Sequence, residues 1–379
     1  MLMELFDLLE PQINTIYNKY GNSKISIHCT QHISEIKQLQ PHAFILGYKE
    51  YRNSSIESKI KIADIFRNSL SQFHRPSQSI SIVDIGNCIQ GKTIRESYII
   101  LQEVLKILKE FQIPIIIIGG SHESLYYISK EILKKIAFPS VTCIDSKIDF
   151  EIENEDFSHS NFIHKLIAIT DTLRLINIGY QEYLCSHKTI EWFKSHYFPL
   201  LRLGKVRQKI IDTEPFIRDS HIVSIDASSI RYSDIFSHAN PNGLYAEEAC
   251  QLAWYSGYSQ NLKIFCVHDV TINESSKEIT STLISQILWH VLDGISQQKN
   301  KKCDFYAEKF TKYYVQNSFL DHDITFFENI LTKQLWVEVP LKNKKKKRII
   351  PCSTIDYQEF LNNNLSENWL LEFNRLYNK

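Results

Sequence analysis

One histidine and three aspartates, each just past a short apolar run, are the residues of this chain best suited to chemistry. Residues 113–123 read IPIIIIGGSHE, so His122 follows β-branched residues and a glycine pair, Gly119 and Gly120, that lets the backbone turn sharply. TCIDSKIDF places Asp145 and Asp149 behind a second run, with Lys147 between them, and HIVSIDASS places Asp226 behind a third. Runs of this kind are strands buried on both faces of a parallel sheet. Open α/β sheets carry their chemistry beyond the carboxyl ends of such strands. One imidazole with three carboxylates is a donor set for a hard divalent cation.

Positioning these residues takes a sheet with helices between its strands. HAFILGYKEY and ISIVDIGNCIQ read as two strands before the central one, and LRLINIGYQEY and NLKIFCVHDVTI as two more after it. RESYIILQEVLKILKEF and SLYYISKEILKKI carry apolar residues at three- and four-residue steps, the helical period. The βαβα order predicts an α/β fold with a mainly parallel sheet and helices on both faces. Residues 1–39 are expected to be a helical amino-terminal extension, 40–295 the α/β domain, and 296–379 a carboxy-terminal extension. In the last, QLWVEVP and RIIPCS read as a β-hairpin closed by the basic run Lys344 to Arg348.

Composition narrows the field. The 379 residues carry 43 basic and 43 acidic side chains and a formal net charge of +0, so no global field points to nucleic acid or an anionic membrane. The lysine run is the one basic footprint, and a solvated hairpin tip accounts for it. The opening MLMELFDLLEPQINTIY suits an amphipathic helix rather than a membrane span. The 8 scattered cysteines form no CxxC pair and, with no secretory signal, are expected to be reduced thiols of a cytoplasmic protein.

GGSHE, IDSKID and SIDASS, in this order, resemble the three metal-binding signatures of the ureohydrolases, the arginase, agmatinase and formimidoylglutamase superfamily. AFILGY, IVDIGN, INIGYQEY and PNGLYAEEA are similar to further segments of that family, and the tail with WVEVP and IIPCSTIDYQEF resembles one carried by a Bacteroidota branch. The resemblance implies a three-layer α/β/α arginase-like fold, assembly as a homo-oligomer, and Mn²⁺-dependent hydrolysis of a C–N bond in a small guanidino or formimidoyl metabolite. It assigns His122, Asp145, Asp149 and Asp226 to a first metal ion, with Asp149 and Lys147 the catalytic candidates. At the second metal the family's imidazole is replaced by Lys147 and its terminal carboxylate by Ser228; Arg231 and Thr271 replace two further acidic residues. The expectation is therefore one Mn²⁺ at most, or none, with the Lys147 ammonium bridging Asp145 and Asp226 in the second ion's place. The substrate loop would be SHSNFIH, bringing His159, Asn161 and His164.

Blander roles exist for each residue. A lone histidine after a strand is commonly a satisfied structural group, and aspartates there cap turns and helices. Glu123 reads as a cap of the following helix, and polarity alone explains the loop histidines. His268 and Asp269 close a strand without an evident task. Two functions stand side by side: a hydrolase of linear amidines, and a catalytically silent relative that binds a metabolite or protein partner; a third, nucleic-acid binding through the lysine run, rests on one hairpin tip and would show as salt-dependent binding.

Overall fold

The computed structural model describes residues 5–10, 25, 27–30, 32–54, 60–152, 157–298, 305, 308–342 and 347–377. Nine strands form the main sheet: β1 (Ile27–Cys29), β2 (Ala43–Gly47), β3 (Ile82–Asn87), β4 (Ile115–Ile118), β5 (Ser140–Ile144), β6 (Arg174–Tyr180), β7 (Leu200–Arg202), β8 (Ile222–Asp226) and β9 (Ile264–His268). Their order is β1-β3-β2-β4-β9-β8-β5-β6-β7. Every neighbouring pair runs parallel.

The all-apolar reading of β4 has a direct cause. Ile115 and Ile117 enter one core with the helices Ile94–Leu108 and Ser124–Ile132. Ile116 and Ile118 enter the other, with the helices Ile62–Leu70, Ala246–Tyr258 and Lys277–Ser296. Both faces are covered, as a three-layer α/β/α architecture requires, and each such side chain contributes roughly 1.5–3 kcal/mol relative to exposure. Because β9 and β8 insert between the chain-consecutive β4 and β5, the four carboxyl ends line up at the switch point where open sheets bind ligands.

The amino-terminal segment departs from its helical reading. Its described part holds a 3-10 turn at Leu5–Leu8, a helix at Ile33–Leu39, and between them β1, which pairs with β3 as an edge strand of the main sheet. The rest of the expected opening helix lies outside the described residues.

A second sheet follows the domain, with β10 (Phe310–Val315), β11 (Ile324–Asn329), β12 (Leu335–Pro340) and β13 (Lys347–Cys352), all antiparallel. The predicted hairpin is β12 and β13, paired from Leu335↔Cys352 to Pro340↔Lys347. Lys344 to Lys346 of the basic run lie outside the described residues, whereas Lys347 and Arg348 open β13. Arg348 is buried and Lys347 pairs with Glu338 at 2.5 Å. The helices Thr354–Leu361 and Glu367–Tyr377 cover one face, packing Phe360 and Trp369 on Phe326, Val337 and Ile350.

The extension is fastened by buried charge. Arg375 donates to the carbonyls of Thr172 at 2.8 Å and Leu173 at 3.1 Å. Arg174 donates to Asn368 at 2.7 Å, and Arg348 pairs with Asp219 at 2.7 Å. Residues 172–174 and 219 sit at the amino ends of β6 and β8. The extension therefore docks on the edge opposite the candidate site, about 15 Å away along a five-residue strand.

Among the described residues every cysteine is a free thiol. Among the described residues no helix is long and apolar enough to cross a membrane.

Candidate metal centre

His122 is placed by the turn that ends β4. Gly119 and Gly120 take φ values of +97° and +80°, in the left-handed region where a side chain is strained. A Cβ on Gly120 would meet Tyr48 Cδ1 at 2.4 Å. Gly120→Ala is expected to lower unfolding stability by more than about 1 kcal/mol in denaturant titration, and an unchanged midpoint would contradict this account of the turn.

The turn aims the His122 ring at the ends of β5 and β8. Its Nδ1 lies 3.0 Å from Asp149 Oδ2, 3.3 Å from Asp226 Oδ2 and 3.6 Å from Asp145 Oδ2. The ring is fully buried, and the three aspartates are at most 4% exposed. Ligand atoms of His122, Asp145 and Asp226 lie within 4.8 Å of one another, a spacing that can hold a metal ion.

Asp145 and Asp226 are held in the same way. The main-chain N–H two residues on donates to Oδ1: Lys147 to Asp145 at 3.1 Å, Ser228 to Asp226 at 2.6 Å. The Ser228 hydroxyl also donates to Asp145 Oδ1 at 3.4 Å. Turn capping and convergence are thus done by opposite oxygens of one carboxylate, with Oδ1 fixing the rotamer and Oδ2 facing His122.

The electrostatics follow from packing like charges in a dry site. Burial, then the charges of Asp149 and Asp226, push Asp145 well above the usual carboxylate range. Burial acts the same way on Asp226, but His122, His238 and the Ser228 hydrogen bonds outweigh it and hold Asp226 low. Burial opposes protonation of His122, yet its hydrogen bonds with Asp149 and Cys143 and the charge of Asp226 raise it well above its ordinary value. Three carboxylates thus share the one His122 ring.

Lys147 does not bridge the aspartates as the sequence led us to expect. Its side chain is exposed, and among the described residues no carboxylate lies within ion-pair distance of its ammonium. Burial of its stem disfavours the charge, but Asp149, Asp145, Asp226 and Asp269 together raise its pKa. It lines a cavity of about 350 Å³ shared with Asp145, Asp149, Asp226, Ser228 and His159.

Of the loop residues, only His159 reaches this cavity. Its Nδ1–H donates to the Asn53 carbonyl at 3.1 Å, which leaves Nε2 as the other ring nitrogen for a ligand. Asn161 is buried and accepts from the Glu151 N–H at 3.0 Å, and His164 lies on the helix Ile163–Ile167 outside the lining. Glu123 is no cap: it occupies the N-cap position without a side-chain cap bond, and takes instead the hydroxyls of Tyr98 and Ser121, both at 2.7 Å.

Two residues that sequence reasoning passed over belong to the cavity. Asp269 follows β9 with φ +52° and is 5% exposed, and burial followed by the Asp226 charge raises its carboxyl well above the usual range. His238 donates from Nε2 to the Asp269 carbonyl at 2.6 Å. Neighbouring His268 is structural, locked between Ser124 at 3.1 Å and Ser224 at 2.9 Å, and burial depresses it to about 3.

No family model and no curated protein matches the chain. Solved structures do. A Trypanosoma cruzi formiminoglutamase with Mn²⁺ superposes at a TM-score of 0.62 with 17% identity over 71% of this chain and 96% of that one. A Bacillus subtilis formimidoylglutamase gives 0.61 with 16% identity over 79% and 94%, and an agmatine ureohydrolase of Thermoplasma volcanium 0.58 with 15% identity over 69% and 92%. Nine parallel strands in this order, with such neighbours, mean that the chain has the arginase/ureohydrolase fold.

Proposed function

We propose that the chain is an arginase- or formimidoylglutamase-like ureohydrolase, a metal-dependent hydrolase of a C–N bond in a linear amidine. The observation that carries this reading is the convergence of three buried carboxylate oxygens on His122 Nδ1 at the floor of a cavity. Three buried carboxylates and one imidazole fit a divalent cation, and one imidazole among oxygens suits Mn²⁺. His122, Asp145, Asp149 and Asp226 would hold it, and when bound it supplies an acidified water.

The chain's own groups have separate tasks. Asp149, whose main-chain position leaves its carboxylate beside His122, accepts a proton from the attacking water. The proton taken from the water goes on to the departing nitrogen, with Nε2 of His159 accepting it and then donating it. Lys147 offsets negative charge at the cavity mouth. The ligand is a small guanidino or formimidoyl metabolite, and the protein works in the cytoplasm as a homo-oligomer, without nucleic acid or membrane.

One ion per chain is the expected stoichiometry, since Lys147 and Ser228 offer neither an imidazole nor a carboxylate to a second one. Elemental analysis after Mn²⁺ loading and gel filtration tests this. About one ion in the wild type, and more in a Lys147→His/Ser228→Asp variant, supports the reading and leads to assays with arginine, agmatine and formimidoylglutamate. A chain that retains no metal sinks it. The same two residues favour a second reading, a catalytically silent relative that keeps the pocket for binding. It predicts a bound ion or metabolite with no turnover of any amidine.

A further inference from the structure

We propose that Ser140 and Arg174 form a buried site for one small monovalent anion of halide size, which completes the junction between the α/β domain and the carboxy-terminal extension. The site lies at the amino ends of β5 and β6, on the edge opposite the candidate metal centre, so it is independent of the hydrolase reading.

The backbone puts the two residues side by side. Ser140 and Arg174 open β5 and β6 and are register partners across the parallel pair. Four residues on, the partners Ile144 and Ile178 enter one and the same core, so Ser140 and Arg174 project to that side together. Ser140 is 0% and Arg174 1% exposed. Arg174 Nη2 donates to Asn368 Oδ1 at 2.7 Å, but Arg174 Nε and Nη1 and the Ser140 hydroxyl have no hydrogen-bond partner among the described residues. Buried donors of this kind cost free energy unless something accepts from them.

Charge decides what accepts. Three guanidiniums, of Arg174, Arg348 and Arg375, share the two carboxylates of Asp219 and Glu372. These carboxylates give their close contacts to Arg348 and Arg375 and attract Arg174 only from 3.6 and 3.5 Å, without a hydrogen bond. The next charged side chain, Arg218, has its own partner in Glu214 at 3.0 Å. His221, whose Nδ1 accepts the Ser140 N–H at 3.2 Å, adds no charge at pH 7, since burial depresses it to about 4. One buried positive charge is left over, and it falls on Arg174. Burial lowers the pKa of Arg174, and Arg348 and Arg375 add to this against the pull of Glu372 and Asp219. A water would satisfy the donors but not the charge, whereas a monoanion does both. Solvent reaches neither residue, so the ligand is compact, chloride or bromide rather than sulfate or an organic acid.

Denaturant titration of the full chain at fixed ionic strength, with chloride replacing gluconate, tests the site. If each chain releases one anion on unfolding, the unfolding constant falls about tenfold for each tenfold rise in chloride above its Kd. Bromide should act like chloride, and sulfate should have no such effect. Ser140→Ala is the sharper test, because the sign of its effect depends on the anion. In gluconate the variant should be at least as stable as the wild type, having lost a buried hydroxyl that nothing accepts from. In chloride it should need about tenfold more of the anion for the same response, since a hydrogen bond to a charged group is lost. Arg174→Met should lose the chloride response altogether, and should it fail to fold, Ser140→Ala decides. Metal content should match the wild type in both variants. Equal unfolding constants in chloride and gluconate, a sulfate response as large as that to chloride, or an undiminished chloride response in Ser140→Ala would overturn the proposal.

Discussion

Glu372→Gln is expected to cost about 3–5 kcal/mol of unfolding stability at pH 7, because it breaks a buried ion network on one side and leaves the other side charged. Glu372 is 1% exposed and receives Arg348, and Arg375 at 2.7 Å, with Arg174 at 3.5 Å. Asp219 is the network's other carboxylate, so three guanidiniums would face a single one after the substitution. Burial lifts the Glu372 carboxyl, but Arg348, Arg375 and Arg174 outweigh it and bring it from 4.5 to about 2. A folded pKa below the unfolded one stabilises above pH 4.5 and is lost as pH falls through about 2. That shift corresponds to about 3 kcal/mol, in line with the mutational figure. Denaturant titrations of both proteins from pH 7 to 2 should show a wide gap that closes on the acid side. Equal midpoints at pH 7 would mean that the network does not fasten the extension. Metal retention per folded chain should not change, because the extension docks at the far ends of β6 and β8.

The parts of this molecule legible in its sequence are those whose cause is local. β4, β5 and β8 are short apolar runs because both faces are covered, and the residues just past them must then lie at one edge of the sheet. His122, Asp145, Asp149 and Asp226 were found by that logic, and the structure brings all four together. What stayed hidden depends on distant partners. β1 and β7 have three residues each and exist only because β3 and β6 offer them an edge. Glu123 has the sequence position of a cap, but Tyr98 from another helix and Ser121 claim its carboxylate. Asp269 and His238 enter the cavity because Asp269 adopts a left-handed backbone and its carbonyl catches the His238 ring. An aspartate tolerates that conformation and SHANPNG is rich in turn formers, so a signal existed, but neither spacing nor a motif pointed from one to the other. The Lys147 ammonium was misplaced because Lys147 is exposed while the aspartates it was expected to bridge are buried, a difference that a sequence does not show.

Asp145→Asn is expected to raise the stability of the metal-free protein while removing its response to metal. Asparagine keeps an oxygen for the Lys147 N–H and the Ser228 hydroxyl, so the turn after β5 is retained. At the Oδ2 position it places an amide where a third negative charge had faced His122 at 3.6 Å. The sign follows from titration: the folded pKa of Asp145 stands well above its ordinary 3.8, so its contribution falls as pH rises past that value. Above pH 3.8 the wild type carries this penalty and the variant, which mimics the protonated acid, does not. The gain should be roughly 1–3 kcal/mol, the usual range for relieving a desolvated like-charge contact. Metal reverses the ranking. At an ion concentration a hundred times Kd the wild type should gain about 2.7 kcal/mol, and the variant, with one ligand oxygen lost, much less. Chemical denaturation of both proteins in chelator and in Mn²⁺ reads the two effects separately. A variant that is less stable than the wild type in chelator, and equally stabilised by Mn²⁺, would show that Asp145 serves packing rather than a cation; opposite shifts would mean that stability is held back at this edge of the sheet by charges gathered for an ion.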